Sequence, residues 1–151
     1  MKSVFHWVRV KVICHATEDQ NLLYEIMTTL TGLEDLDVDA SEGQHGNPII
    51  VMDAELTHNK EIDHLFVELG EGIIEQLLTD LNNRIDENCI FYTRLDKQRA
   101  VMGGYSISHG GDVISITGKL VSHPARKEIA MKNMETFLRE TLQKIQAPSS
   151  E

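Results

Sequence analysis

Between residues 4 and 14 the chain alternates strictly, the period-two pattern of a β-strand. One face carries Phe5, Trp7, Arg9, Lys11 and Ile13; the other carries Val4, His6, Val8, Val10, Val12 and Cys14. Two later runs repeat the pattern. Across residues 89–95 the face opposite Cys89, Phe91 and Leu95 holds Ile90, Tyr92 and Arg94, and across 113–121 Ser115, Thr117 and Lys119 alternate with Ile114, Ile116 and Leu120. If these strands share a sheet, one face gathers Trp7, Tyr92, Arg9, Lys11, Arg94 and Lys119. Aromatics interleaved with arginine and lysine on an open sheet can stack bases and neutralise phosphates. The same pattern also fits a plain solvated face, with long basic side chains lying over apolar surface.

Two short motifs offer further donors. Gly43-Gln44-His45-Gly46-Asn47-Pro48 reads as a tight turn into a strand, or as a loop whose backbone N–H groups, His45 and Asn47 meet a phosphate or ribose. Asp96-Lys97-Gln98-Arg99 reads as a capped helix start, or as a helix N-terminus aimed at an anion with Lys97 and Arg99 adding charge.

Enzyme signatures do not accompany them. There is no glycine-rich phosphate loop, no GxSxG, no HExxH and no CxxC. The seven histidines are scattered, and His6 falls on the apolar face of its strand, where it reads as a core residue. Cys14 and His15 are adjacent in a strand and so point to opposite faces. A site built from His45, Asp53 and Gln98 is conceivable but has no nucleophile–base or metal spacing. The expectation is a noncatalytic protein with no metal and no cofactor.

The elements that must position these residues follow from periodicity. Thr17 can cap a helix with Leu22, Leu23, Ile26, Met27 and Leu30 on one face, stopped by Gly32. Residues 33–47 are acidic and turn-rich and read as a loop before a strand over 48–56. One kinked helix or two successive ones follow, interrupted at Gly70 and Gly72. After the strand over 89–95 come a short helix over 97–102, strands over 105–108 and 113–121, and a final helix opened by Pro124. This order predicts a two-layer α/β (α+β) sandwich, with a mixed sheet of about five strands and helices on one face. Residues 1–146 are expected to form one domain, with 147–151 as a flexible tail.

The net charge of −10 over 151 residues argues at first against a nucleic-acid partner. Its distribution reverses the point. Residues 17–87 hold 18 acids and only two bases, Lys60 and Arg84, whereas residues 1–16 and 88–151 each carry +3. A basic face remains possible where the two ends of the chain meet. Two cysteines in apolar runs read as buried thiols of a reducing compartment, and the alternating N-terminus is unlike a signal peptide. A cytoplasmic protein is expected.

Three segments resemble a known family in the same order along the chain. EGQHGNPIIVMDAEL (42–56), YTRLDKQRAVMGG (92–104) and DVISITGKLVSHP (112–124) are similar to a small archaeal family of predicted RNA-binding proteins described as exosome-subunit-like. The resemblance implies a two-layer α/β domain like the ribosomal protein that binds 5S RNA, and no catalytic activity. It implies RNA as the partner, in RNA processing or degradation. The residues expected to contact RNA are Trp7, Arg9, Lys11, His45, Asn47, Tyr92, Arg94, Lys97, Arg99 and Lys119. The alternative is an adaptor that docks on RNA-processing proteins through its acidic helices; self-association stays open.

Overall fold

The computed structural model describes residues 3–42, 46–108 and 110–147. Five strands form one sheet: β1 (Phe5–His15), β2 (Asp37–Glu42), β3 (Pro48–Leu56), β4 (Ile90–Asp96) and β5 (Val113–Leu120), in the order β2-β3-β1-β5-β4. Helices α1 (Gln20–Thr31), α2 (Asn59–Leu69), α3 (Glu71–Thr79), α4 (Lys97–Val101) and α5 (Lys127–Gln146) cover one face. The two-layer α+β sandwich is therefore present. Its sheet is antiparallel at every pairing instead of mixed.

One strand differs from expectation. Residues 105–108 make only a bridge from Ile107 to Leu95, flanked by bonds from the Asp96 N–H to the Ser106 carbonyl and from the Ser108 N–H to the Arg94 carbonyl. The fifth strand is β2, drawn from the acidic stretch that reads as loop. All six of its side chains are exposed, so it lacks the apolar positions that mark a strand in a sequence.

β1 departs from simple alternation at its start. Phe5 pairs with Leu120 and Trp7 with Lys119, which leaves His6 as the extra residue of a β-bulge. The bulge turns Phe5 into the core and leaves His6 exposed, the reverse of the period-two assignment. All four phenylalanines of the chain meet there. Phe5 stacks on Phe66 with ring centroids 5.8 Å apart and meets Phe137 edge-on at 6.0 Å, while Phe66 and Phe137 lie 5.1 Å apart. Such pairs contribute roughly 0.5–1.5 kcal/mol each beyond the area they bury.

The helix limits are set by local chemistry. The Asp19 carboxylate, not Thr17, caps α1 by accepting from the Leu22 N–H at 3.1 Å, and Gly32 closes it in the left-handed region at φ 73°. Gly70, at φ 91°, divides α2 from α3 into two helices. α5 begins at Lys127, three residues after Pro124. Beyond Ala147, the expected tail lies outside the described residues. Cys14 and Cys89 are both buried and unbridged. No described helix is long and apolar enough to cross a membrane.

Candidate nucleic-acid interface

The uncovered sheet face is organised by register. Trp7 lies beside Lys119, and Lys119 beside Ile90; Arg9 lies beside Thr117, and Thr117 beside Tyr92; Lys11 lies beside Ser115, and Ser115 beside Arg94. Three rows therefore run across β1, β5 and β4, and six of the ten expected contact residues occupy them. Tyr92, Arg94 and Lys11 are exposed, while Trp7 is half-buried. Among the described residues, the ammonium of Lys11 and the guanidinium of Arg94 make no ion pair. Lys119 Nζ donates to the Asn88 carbonyl at 2.6 Å and keeps its charge toward solvent.

The other half of the same face is acidic. Register sets Glu55 beside Arg9 and Asp53 beside Lys11 on β3, with Asp37 beside Asp53 on β2. Arg9 bridges both β3 acids, Nη2 to Glu55 Oε1 at 3.0 Å and Nε to Asp53 Oδ1 at 3.4 Å. Its guanidinium, though half exposed, is thus engaged by the protein's own acids. Asp53 and Glu55 belong to this face as well. Their alternation is visible in the sequence, but that β3 pairs with β1 is not.

Lys97 requires a correction. Instead of adding charge at an exposed helix start, it is fully buried. Its Nζ donates to the Ile13 carbonyl at 2.7 Å and to Glu18 Oε1 and Asp112 Oδ1 at 2.8 Å each. Burial acts to lower its pKa, but the hydrogen bonds and charges of Asp112 and Glu18 outweigh that, and the net direction is upward. His15, Glu18 and Asp112 place ligand atoms within 4.8 Å of one another, a grouping that could hold a metal ion. The single Lys97 ammonium already pairs with both carboxylates, so the cluster reads as an internal clasp joining β1, α4 and the start of β5.

Two expected residues, Arg99 and Asn47, lie away from the rows. Arg99 is exposed on α4, which packs against α1 on the helical side, and its guanidinium lies against Gly104. Asn47 is exposed where the chain enters β3, at the acidic margin. His45 lies outside the described residues. Of the conceivable catalytic grouping that includes it, Asp53 pairs with Arg9 and Gln98 Nε2 donates to Asp112 at 3.5 Å. Burial and the neighbouring Glu18 push the Cys14 thiol upward, away from a reactive thiolate.

A family model described as RNA binding matches residues 7–120, which take in β2 to β5 and β1 from Trp7 onward. The chain belongs to this RNA-binding family. Over 144 residues it is 34% identical to RNA-binding protein PAB1135 of Pyrococcus abyssi, covering 88% of this chain and 93% of that protein. Among solved structures it is similar to AF2318 of Archaeoglobus fulgidus, at 35% identity and TM-score 0.72, over 91% of this chain and 99% of the other. Mth689 of Methanothermobacter thermautotrophicus gives TM-score 0.73 at 28% identity, over 90% and 99% of the two chains. The three basic and aromatic rows fall within the span that the RNA-binding family model matches.

Proposed function

We propose that this protein is a noncatalytic RNA-binding protein that lays RNA across the β1–β5–β4 half of its open sheet face. The observation that carries this reading is the convergence of Lys11, Arg94 and Lys119 with Trp7 and Tyr92 in three adjoining rows. The cations neutralise phosphates, and the two rings offer platforms to unpaired bases. Thr117 and Ser115, between them on β5, supply hydroxyls within reach of sugar and phosphate oxygens. The acidic β2–β3 half repels the backbone and confines RNA to one side, which suits modest affinity.

Arg99 on α4 remains an outer member of the interface, for an RNA long enough to leave the face, while Asn47 at the acidic margin lies off that path. Lys97 acts through Ile13 and Asp112 by holding the ends of β1 and β5. The segments at 42–56, 92–104 and 112–124 support a role in RNA processing or degradation and kinship with the ribosomal protein that binds 5S RNA, and the buried free thiols of Cys14 and Cys89 suit the cytoplasm.

Fluorescence titration with single-stranded and structured RNA tests the reading. Binding is expected to weaken as salt rises, with log K falling by roughly 0.7–0.9 per neutralised phosphate for each tenfold rise in salt. Replacing Lys11, Arg94 and Lys119 together by glutamine is expected to flatten that slope. Absence of binding to either RNA at low salt overturns the reading.

A further inference from the structure

Strand β2 pairs with β3 along one edge, and its other edge is the margin of the sheet. Register assigns its side chains to two faces. Asp37, Asp39 and Ser41 lie opposite Asp53, Val51 and Ile49 on the open face, and Val38 and Ala40 lie opposite Met52 and Ile50 on the helix side, where Glu42 opposite Pro48 ends the row. There the helical layer stops short: Met52 is fully buried, but Val38 beside it is 42% exposed. β2 therefore combines an unpaired row of backbone donors and acceptors, an uncovered apolar row, and an acidic row that forms no ion pair among the described residues. Charge on an edge strand guards against aggregation. That accounts for Asp37 and Asp39, but not for an apolar row left bare on the opposite side.

We propose that β2 is a docking edge for an extended segment of a protein partner, which adds to the sheet as a further strand. Alternation sets the chemistry of that segment. Lysine or arginine occupies every second position, against Asp37 and Asp39, and apolar residues between them cover Val38 and Ala40. Opposite charges facing across a ladder stabilise it, and like charges weaken it. A second copy of this chain is a poor occupant, because edge-to-edge pairing sets acid near acid. RNA is disfavoured too, since residues 12–59 contain no lysine or arginine at all. β2 and β4 lie at opposite margins of the sheet, so the edge stays free when RNA occupies the basic half. The proposal is independent of the RNA-binding reading.

Two synthetic peptides of equal charge test it on the whole protein. One alternates lysine and valine; in the other, proline replaces each valine and removes the backbone donors a ladder needs. The alternating peptide is expected to slow amide hydrogen exchange within residues 37–42, and to bind roughly tenfold more tightly than the proline peptide. The Asp37→Lys, Asp39→Lys variant is expected to lose about tenfold in affinity for it. β2 buries no side chain, so exchange in β1 should not change in that variant. The wild-type comparison of the two peptides stands whether or not the variant folds. Equal binding of both peptides overturns the proposal, as does protection that falls outside 37–42 or nowhere.

Discussion

The ring of Phe5 lies so close to Gly118 that a Cβ added at Gly118 would stand 2.6 Å from the ring edge. Gly118 faces Val8 on one side and Phe91 on the other, so Phe5 covers the gap left by its missing side chain. The bulge at His6 makes this possible by turning Phe5 inward. Gly118→Ala is expected to push Phe5 off Phe66 and cost about 1–3 kcal/mol, as overpacking of a filled core does. A lower urea midpoint at unchanged m-value is the signature. Adding Phe5→Leu should then cost less than it does in the wild type, because the two residues contend for one space.

Lys97 is the second point where one residue holds several elements. Lys97→Met keeps most of the volume but strands the Ile13 carbonyl and leaves Glu18 and Asp112 facing each other. A loss of about 2–4 kcal/mol is expected, toward the lower end because both carboxylates retain some water. The folded-state pKa is raised, so the lysine's contribution is fully present below its unfolded value of about 10.4 and is lost as pH rises through the folded value. The stability gap between wild type and variant, from urea titrations, should hold steady in mildly alkaline buffer and narrow beyond that value. A gap that widens with pH would contradict the assignment.

Arg9 shares its strand face with the RNA-contacting cations, but Asp53 and Glu55 engage it. Arg9→Ala is therefore expected to leave the salt dependence of RNA binding almost unchanged. The neutral pair Asp53→Asn and Glu55→Gln should free Arg9, raise RNA affinity and steepen the slope by roughly 0.7–0.9, the value of one phosphate. Surface pairs of this kind contribute about 0–1 kcal/mol to stability, so the fold should tolerate the change. Equal slopes for wild type and the neutral pair would show that Arg9 takes no part even when released.

These cases mark what local pattern reveals and what it cannot. Alternation identified β1, β3, β4 and β5 and set Tyr92, Arg94 and Lys119 on the correct faces, because strands half-covered by helices must alternate. It failed at His6, where one inserted residue reverses the faces before it, and at β2, which buries nothing and so leaves no apolar trace. It also could not foresee that Lys97 meets Glu18 and Ile13, contacts separated by 79 and 84 positions in the chain. The acidic middle segment was expected to charge the helical layer. Part of it instead forms β2 and β3, which makes the sheet face itself two-signed.

Trp7 gives the most direct test of base stacking, because it is the only tryptophan in the chain and reports from the proposed interface. Its half-buried ring sits one row from Arg9 and beside Lys119, so a base stacking there also brings its phosphate near a cation. Single-stranded RNA should therefore quench tryptophan fluorescence saturably, and duplex RNA, whose bases are already stacked, should do so less. Trp7→Ala is expected to lose about 1–3 kcal/mol of binding to single strands, the range for one stacked base. Its salt slope should match wild type, since no phosphate contact is removed. The Lys119→Gln variant should show the opposite pair of effects, with a flatter slope and quenching that persists at saturation. If Trp7→Ala flattens the slope and leaves low-salt affinity intact, the ring is acting as a spacer for Lys119 and stacking is not its role.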